Sequence, residues 1–172
     1  MKTTVRQLGN LADKMAWRTE VVQAVFGCGH DEARALATRV DDPCADVTFC
    51  QADADGCPAG CGALCLQHEL PSPDNPTGRC AFLMNIYVRP RYRRLGIGRS
   101  IVAWLVDRGR RMGCGKIYLE TTDAGRKLYE SAGFAPMDGL MVLDDTAQTP
   151  DAALDAARCV PTGCGEHLGL TL

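Results

Sequence analysis

The fold is decided by the stretch RPRYRRLGIGRS, residues 89–100, in which two glycines stand among arginines. The apolar run AFLMNIYV, residues 81–88, comes directly before it and has the length and the aromatic and β-branched content of a buried strand. After it, apolar residues recur at helical spacing at Ile101, Val102, Leu105, Val106 and Met112. The sequence therefore predicts a strand, a glycine turn and a helix, in that order.

The glycine turn has the chemistry of an anion site. Gly96 and Gly98 let the backbone turn sharply and approach a ligand closely. The first N–H groups of the following helix lack helical partners and carry the positive end of its dipole. Arg93, Arg94 and Arg99 add planar charged donors that suit phosphate oxygens. An ordinary loop with solvated arginines is the alternative, but the flanking elements and the density of arginines favour a phosphate-binding turn.

Two other phosphate motifs do not fit this chain. A dinucleotide fingerprint needs a third glycine three residues after Gly98, where Ile101 stands. A nucleotide-triphosphate loop needs a lysine followed by Ser or Thr, but the Gly115-Lys116 pair is followed by Ile117.

The spacing of Arg93, Gly96 and Gly98 resembles the acetyl-CoA signature of the GNAT superfamily of N-acyltransferases, which is Arg or Gln, two residues, Gly, one residue, then Gly or Ala. A second segment, AGRKLYESAGF at residues 124–134, is similar to the family's "LY…GF" helix and turn. A strand-like segment, KIYLE, stands between the two signatures at residues 116–120. The resemblance extends from Thr3 to Leu143.

The resemblance implies an α/β (α+β) fold with a mixed central β-sheet of about six strands flanked by about four helices. Residues 1–143 would form one GNAT-like N-acetyltransferase domain, and residues 144–172 a C-terminal extension of unknown structure.

The residue patterns before the glycine turn predict a strand, two helices and a hairpin. The first helix is capped by Asn10 and ends at Gly27. The other elements are a strand at 3–8, a helix at 31–40, and hairpin strands at 46–52 and 62–70. Cys57-Pro58-Ala59-Gly60 would lengthen the hairpin loop, and the proline-rich loop at 71–78 is a candidate rim of the acceptor site.

The patterns after the turn predict a helix to Met112, a strand from 116 to 121 or 122, a helix at 124–132 and a last strand at 140–143. A helix between successive strands indicates parallel pairing, whereas the hairpin indicates antiparallel pairing. The sheet is therefore expected to be mixed.

The first two helices each show an apolar face. In the first helix the face consists of Leu11, Met15, Arg18, Val22, Val25 and Phe26, and in the second of Ala33, Leu36, Ala37 and Val40. A charged residue is unusual on such a stripe. Arg18 either buries its stem and reaches solvent, or faces an acidic group in a cleft. Because the first helices border the acceptor site in proteins of this resemblance, Arg18 is predicted to bind the substrate.

The resemblance implies acetyl-CoA as co-substrate and assigns its binding residues. The pyrophosphate is expected on the backbone amides and arginines of the turn, namely Arg93, Arg94, Leu95, Gly96, Ile97, Gly98, Arg99 and Ser100. In the family the strand before the turn bulges and splays. Its backbone pairs with the pantetheine arm, and one of its N–H groups polarises the acetyl carbonyl. By position these residues are Ile86, Tyr87 and Val88.

The resemblance places the general acid at Tyr129. A phenol with a pKa near 10 can protonate a thiolate leaving group. The alternative is a tyrosine packed in a core with Leu128 and Phe134. Thr122 stands where the family often has an asparagine, seven positions before the tyrosine. The general base stays open between Glu120, Glu69 and a water relay.

These features predict an N-acetyltransferase that transfers an acetyl group from acetyl-CoA to a primary amine of a small molecule, by direct attack in a ternary complex. The alternatives are a protein N-terminal or lysine acetyltransferase, distinguished by an open groove, and a non-catalytic acyl-CoA-binding module. Because dimers are common in the family, a homodimer is expected, although no single residue of the chain proves one.

The composition excludes several other classes of protein. A hydrophobic content of 46%, a charged content of 23% and a net charge of −2 over 172 residues describe a globular protein with no general affinity for nucleic acid. No apolar run reaches the roughly 20 residues that span a bilayer, and no signal peptide follows Met1, so we expect a cytoplasmic protein without membrane partners.

Ten cysteines are many for a chain of this length. They are spread through predicted strands and loops without a CxxC pair, so free thiols are expected. A metal site at Cys57, Cys61 and Cys65 is the alternative, but the spacing is not a zinc pattern, and no metal is predicted.

Overall fold

The structure is a computed structural model that describes residues 1–38 and 46–137, together with residues 139 and 141. Met1–Pro136 form one compact unit. The elements in chain order are β1 (Thr3–Gln7), α1 (Leu11–Phe26), α2 (His30–Ala37), β2 (Val47–Ala54), β3 (Cys57–His68), β4 (Arg79–Val88), a 3-10 helix (Pro90–Tyr92), α3 (Ile97–Arg111), β5 (Lys116–Leu119) and α4 (Asp123–Glu130).

The five strands form one sheet in the order β1-β2-β3-β4-β5. The pairs from β1 to β4 are antiparallel, and β4 pairs with β5 in parallel because α3 crosses between them. The mixed sheet and the α+β class are therefore confirmed. The last predicted strand, at 140–143, and the extension at 144–172 lie outside the described residues apart from Met141, which is not in a strand.

The hairpin between β2 and β3 is tighter than the sequence predicted. Ala54 pairs with Cys57, so only Asp55 and Gly56 form the turn, with φ of 47° and 83°. Two successive residues with positive φ are typical of the turn that favours Asp-Gly. The prediction that residues 57–60 lie in the loop is wrong. Pro58 is accommodated because the β2–β3 register shifts beside its partner Asp53, where a bulge tolerates proline.

The sheet has a packed core on each face. Cys61 and Ala63 of β3 belong to the core on one face of the sheet, and Leu64 belongs to the core on the other face. This alternation is expected because successive side chains of a strand point to opposite faces. On one face α3 packs with Ile97, Ile101 and Leu105. On the other face α1 packs with Trp17 and Val21.

The apolar faces predicted for α1 and α2 are only partly correct. In α1 the buried residues are Trp17, Thr19, Val21 and Val22, whereas Leu11, Val25 and Phe26 are 38%, 60% and 67% exposed. Apolar residues lie on several sides of this helix, so their spacing is compatible with two different buried faces. The Trp17 indole selects one of them by donating to Gln51 Oε1 at 2.7 Å. In α2 Ala33 and Ala37 are buried but Leu36 is exposed, and Val40 lies outside the described residues.

The proline-rich loop at 71–78 lies at the start of β4, at the opposite end of that strand from the glycine turn. Asn75 is fully buried there, donates to Glu69 Oε1 at 2.9 Å and accepts from Thr77 Oγ1 at 3.0 Å. Lys116, the first residue of β5, holds the other oxygen of Glu69 at 3.1 Å. The loop therefore fastens the first ends of β4 and β5, and the structure does not bring it to the predicted site.

Among the described residues, no helix is both long enough and apolar enough to cross a membrane.

Candidate functional site

A bulge interrupts β4 at Asn85. Cys61 pairs with Tyr87 and Ala63 with Met84, so the single residue Gly62 faces both Asn85 and Ile86. Asn85 has φ of 57°, in the left-handed region that asparagine tolerates better than most residues. The bulge lies directly before the segment Ile86–Val88, where the resemblance led us to expect one.

One edge of β4 is open after the bulge. The pairing with β5 covers only Cys80–Leu83, and no other described strand pairs with that edge. The Arg89 N–H donates to Ala59 O at 3.0 Å and therefore faces β3. Because backbone groups alternate along a strand, those of Val88 and Ile86 face the open edge. Arg93 Nε donates to Val88 O at 3.1 Å, which agrees with this direction.

The glycine turn exposes the start of α3. Gly96 has φ of 83° and caps the helix without a side-chain hydrogen bond. The first helical bond of the turn runs from Ser100 N to Gly96 O at 3.1 Å, which leaves the N–H groups of residues 97–99 without helical partners. Nothing lies within 4 Å of a β-carbon built on Gly96. An anion can therefore reach these amides directly.

Several side chains of the turn fit an anion. Arg93, Arg94 and Arg99 are exposed, and none of them forms an ion pair with a carboxylate of the described residues. Arg99 Nη2 donates to Ser131 Oγ at 3.1 Å, which links α3 to the end of α4. Leu95 is exposed, and the Ser100 hydroxyl lies 3.4 Å from Gly96 O. The residues predicted for the pyrophosphate thus lie in the glycine turn and in the first turn of α3.

Tyr129 lies on α4, which packs against the start of α3. A β-carbon built on Gly98 would lie 3.2 Å from Leu128 Cδ2. The Tyr129 ring meets the Phe134 ring edge to face, with the centroids 6.1 Å apart. Burial raises the pKa of Tyr129 above its ordinary value, so the phenol stays protonated. Tyr129 is thus both packed against Phe134 and kept in the form that donates a proton.

The open candidates for the general base lie in different places. Glu69 is held by Asn75 and Lys116, and the hydrogen bonds from both lower its pKa. Glu120 is exposed just after β5, and Thr122 occupies the N-cap of α4 without a side-chain capping bond. The position of Glu69 and its hydrogen bonds to Asn75 and Lys116 therefore argue against it as the general base. The general base stays unassigned.

Arg18 contacts the bulge. Its Nη1 donates to Asn85 Oδ1 at 2.6 Å. The Asn85 backbone oxygen accepts from Cys61 Sγ at 3.6 Å, and burial raises the pKa of that thiol, which keeps it protonated. The assignment of Arg18 to the acceptor stays a prediction, because its contact in the structure is with the protein itself. Sequence reasoning missed Asn85, although a polar residue within an apolar strand was the available signal.

Arg89 was also missed, and it ties three elements together. Its guanidinium donates to both oxygens of Glu20 at 2.9 and 2.8 Å, and to Pro58 O at 2.8 Å. It also lies over the Trp17 ring, 4.5 Å from the centroid. Arg89 therefore belongs to the packing of α1 on the sheet, unlike the arginines that follow it.

The cysteines of the described ranges are Cys28, Cys50, Cys57, Cys61, Cys65, Cys80 and Cys114, and all are free thiols. Burial raises the pKa of Cys50 to about 12. No group of three or more His, Cys, Asp or Glu side chains within these ranges is arranged to hold a metal ion.

A bulged strand with an open edge, followed by a glycine turn and a helix, is the arrangement that the resemblance to N-acyltransferases led us to expect. The model of the Acetyltransferase (GNAT) family matches residues 15–134. The chain therefore belongs to the GNAT family of acetyltransferases, as the two sequence signatures predicted.

Comparison with individual proteins agrees with this family. A glucosamine 6-phosphate N-acetyltransferase from Trypanosoma brucei brucei is 27% identical over 85 residues, which are 49% of this chain and 56% of that protein. The chain thus spans only a little more than half of that relative.

Solved structures share the fold at low identity. A predicted acetyltransferase with acetyl-CoA from Clostridium acetobutylicum has a TM-score of 0.69 at 19% identity, covering 83% of this chain and 96% of that one. A glucosamine-6-phosphate N-acetyltransferase from Arabidopsis thaliana has a TM-score of 0.64 at 20% identity, covering 84% and 99% of the two chains.

Proposed function

We propose that this chain is an N-acetyltransferase that transfers an acetyl group from acetyl-CoA to a primary amine of a small molecule. One observation carries the proposal. The open edge of β4 at Ile86–Val88 is followed, after the 3-10 helix Pro90–Tyr92, by the start of α3, which has no side-chain cap. An extended thioester arm that ends in a pyrophosphate suits a row of backbone groups followed by a cluster of free amides and arginines.

In this proposal the donor lies along the open edge. The pyrophosphate contacts the amides of residues 95–99, with Arg93, Arg94 and Arg99 supplying charge. The pantetheine arm pairs with the backbone of Ile86–Val88. Because the N–H groups of Ile86 and Val88 face this edge, one of them polarises the acetyl carbonyl as the amine attacks.

The reaction requires an acid that protonates the leaving thiolate and a base that removes a proton from the attacking amine. The neutral amine attacks the carbonyl carbon, the carbon–sulfur bond breaks, and the leaving thiolate takes the proton of the Tyr129 phenol. The new amide nitrogen loses its extra proton to a base or to water. The raised pKa of Tyr129 supports its role as the acid, because the phenol is protonated at neutral pH.

The small-molecule acceptor is supported by the relative from Trypanosoma brucei brucei, which is named for glucosamine 6-phosphate. We propose Arg18 as a residue on the acceptor side, next to Asn85. A protein N-terminus or lysine as acceptor, and a non-catalytic acyl-CoA-binding module, are the other outcomes of the test below. The cytoplasmic location and the homodimer stay predictions.

The test is calorimetric binding of acetyl-CoA to the wild type and to Gly96→Asp. Gly96→Asp places a carboxylate at the exposed amides and should abolish binding. Gly113→Asp is the matched control, since Gly113 has φ of 76°, follows the other end of α3, and likewise has nothing within 4 Å of a built β-carbon. Equal loss in both variants would point to strain instead of a site, and no binding by the wild type would contradict the proposal.

Thiol release from acetyl-CoA in the presence of an amine panel that includes glucosamine 6-phosphate and lysine peptides then separates the outcomes. Release with amino sugars or other small amines supports the proposal. Release with peptides alone assigns a protein acceptor. Tight binding without release in any mixture identifies a binding module.

A further inference from the structure

Helix α1 holds β4 on both sides of its open segment, Ile86–Val88. Arg18 donates to Asn85, the residue directly before Ile86–Val88. Glu20 accepts both bonds from Arg89, the residue directly after it. Two residues of one helical turn thus fix the two ends of a three-residue stretch of open strand.

Of the two contacts, the one at Asn85 has the greater effect on which backbone groups of β4 face the open edge. The left-handed backbone of Asn85 is what gives β4 its extra residue opposite Gly62. Without the bulge, Ile86 would take the place of Tyr87 opposite Cys61. Its N–H would then face β3 instead of the open edge, because the side of a strand alternates with every residue.

Arg18 is well placed to stabilise the bulged form. Its bond to Asn85 Oδ1 is 2.6 Å long and partly buried, and a charged donor makes a stronger bond than a neutral one. Cys61 adds a bond to the backbone oxygen of the same residue. The helix that carries Arg18 is itself fastened by the Arg89 guanidinium on Trp17 and Glu20.

We propose that Arg18 is a positioning residue that acts through Asn85 and holds the Ile86 N–H toward the acetyl carbonyl of the bound thioester. The inference rests on the proposed function, since it requires acetyl-CoA on the open edge. It gives Arg18 a different role from the acceptor contact that the sequence predicted. The two roles are separable, because only the positioning role depends on the side chain of Asn85.

The test is an infrared measurement on the full chain with acetyl-CoA labelled with ¹³C at the thioester carbonyl. A hydrogen bond to that carbonyl lowers its stretching frequency. We expect the lowered band in the wild type and a shift to higher frequency in Arg18→Gln and in Asn85→Ala. The dissociation constant for acetyl-CoA should stay within about threefold, since the pyrophosphate amides are untouched. Arg34→Gln, an exposed arginine of α2, is the control and should leave the band in place.

A double-variant comparison decides how Arg18 acts. Glycine adopts positive φ without strain, so Asn85→Gly keeps the bulge accessible while removing the acceptor of the Arg18 bond. Adding Arg18→Gln to Asn85→Gly should then change the band no further. The same shift in both backgrounds would overturn the proposal, because Arg18 would then act on the carbonyl without the side chain of Asn85. Circular dichroism melting of each variant shows that it is folded.

The outcomes also separate this inference from the proposed function. A wild type that binds acetyl-CoA, with a band unaffected by Arg18→Gln, removes the positioning role alone. A wild type that does not bind acetyl-CoA removes the proposed function and this inference with it.

Discussion

Leu128 of α4 lies on Gly98 of α3, where a β-carbon would approach Leu128 Cδ2 to 3.2 Å. The lack of a side chain at Gly98 therefore allows α4 to pack against the start of α3. Gly98→Ala should displace Leu128 and, with it, the neighbouring Tyr129. We expect kcat to fall about tenfold, which corresponds to about 1.4 kcal/mol of transition-state stabilisation.

The measurement is steady-state acetyl transfer by Gly98→Ala and by Gly98→Ala combined with Leu128→Ala. The second change removes the clash and should recover part of the lost kcat, although Leu128→Ala alone lowers stability. A double variant whose loss of kcat equals the sum of the two single losses would show that Gly98 does not act through Leu128.

Tyr129→Phe should lower kcat by roughly 10²- to 10⁴-fold, the range typical of a lost general acid. The affinity for acetyl-CoA should be unchanged, because the phenol oxygen contributes only to the leaving thiol. Tyr118→Phe is the control, since Tyr118 lies on β5 with its hydroxyl bonded to Gln67. Full activity of Tyr129→Phe would remove the assignment.

The pH dependence gives a second test of Tyr129. Burial raises its pKa above the ordinary value near 10, so the acid form persists through the neutral and mildly alkaline range. Ionisation of Tyr129 should therefore not lower kcat below about pH 10. An alkaline limb near pH 8 that disappears in Tyr129→Phe would contradict the raised pKa.

The Arg89–Glu20 pair should contribute to stability. Glu20→Gln weakens a two-bond, half-buried pair, and we expect it to lower the free energy of unfolding by about 1 kcal/mol. Urea unfolding measures this value. Asp107→Asn is the matched control, because its pair with Arg111 is exposed, and it should change stability by less than about 0.5 kcal/mol. Equal effects would mean that the contact with Trp17 does not strengthen the pair.

The Glu69 carboxylate should make stability depend on pH at acidic values. Hydrogen bonds from Asn75 and Lys116 lower its pKa in the folded chain, so its stabilising contribution is present above the unfolded pKa, near 4.5. It is lost as the pH falls through the lower folded value. Glu69→Gln should therefore melt with less dependence on pH below about pH 5 than the wild type does. Its kcat for acetyl transfer should match the wild type, since Glu69 directly follows β3 and lies beside the first end of β4, opposite the end that leads to the glycine turn.

Local patterns were sufficient to predict most of the elements. The Asn10 cap, the glycine turn and the crossover helix depend on neighbouring residues, and the structure shows each of them. The buried face predicted for α1 was only partly correct, because it depends on residues far away in sequence. Trp17 faces the core because it contacts Gln51 and Arg89, which lie far away in sequence. The spacing of apolar residues along one helix does not reveal such contacts.

The part of the site that consists of backbone groups of the glycine turn could be predicted from the sequence. Gly96 indicates the turn by its residue type, and it has φ of 83°, whereas Gly98 lies in the first turn of α3. The bulge at Asn85 depends on the register between β3 and β4 and on a helix 67 residues away, so the contact with Arg18 could not be read from the strand. Likewise, residues 57–60 read as a loop because Pro58 is usually excluded from strands, and only the register shift shows how it is tolerated.

The open edge of β4 also has a consequence for how the protein behaves in solution. Unpaired backbone groups beside a hydrophobic core are a template on which another chain can add a strand. A ligand that fills this row removes the template, and because it binds only the folded chain it also raises stability with its concentration. The shelf life and the aggregation of the purified protein are therefore expected to depend on whether the thioester is present.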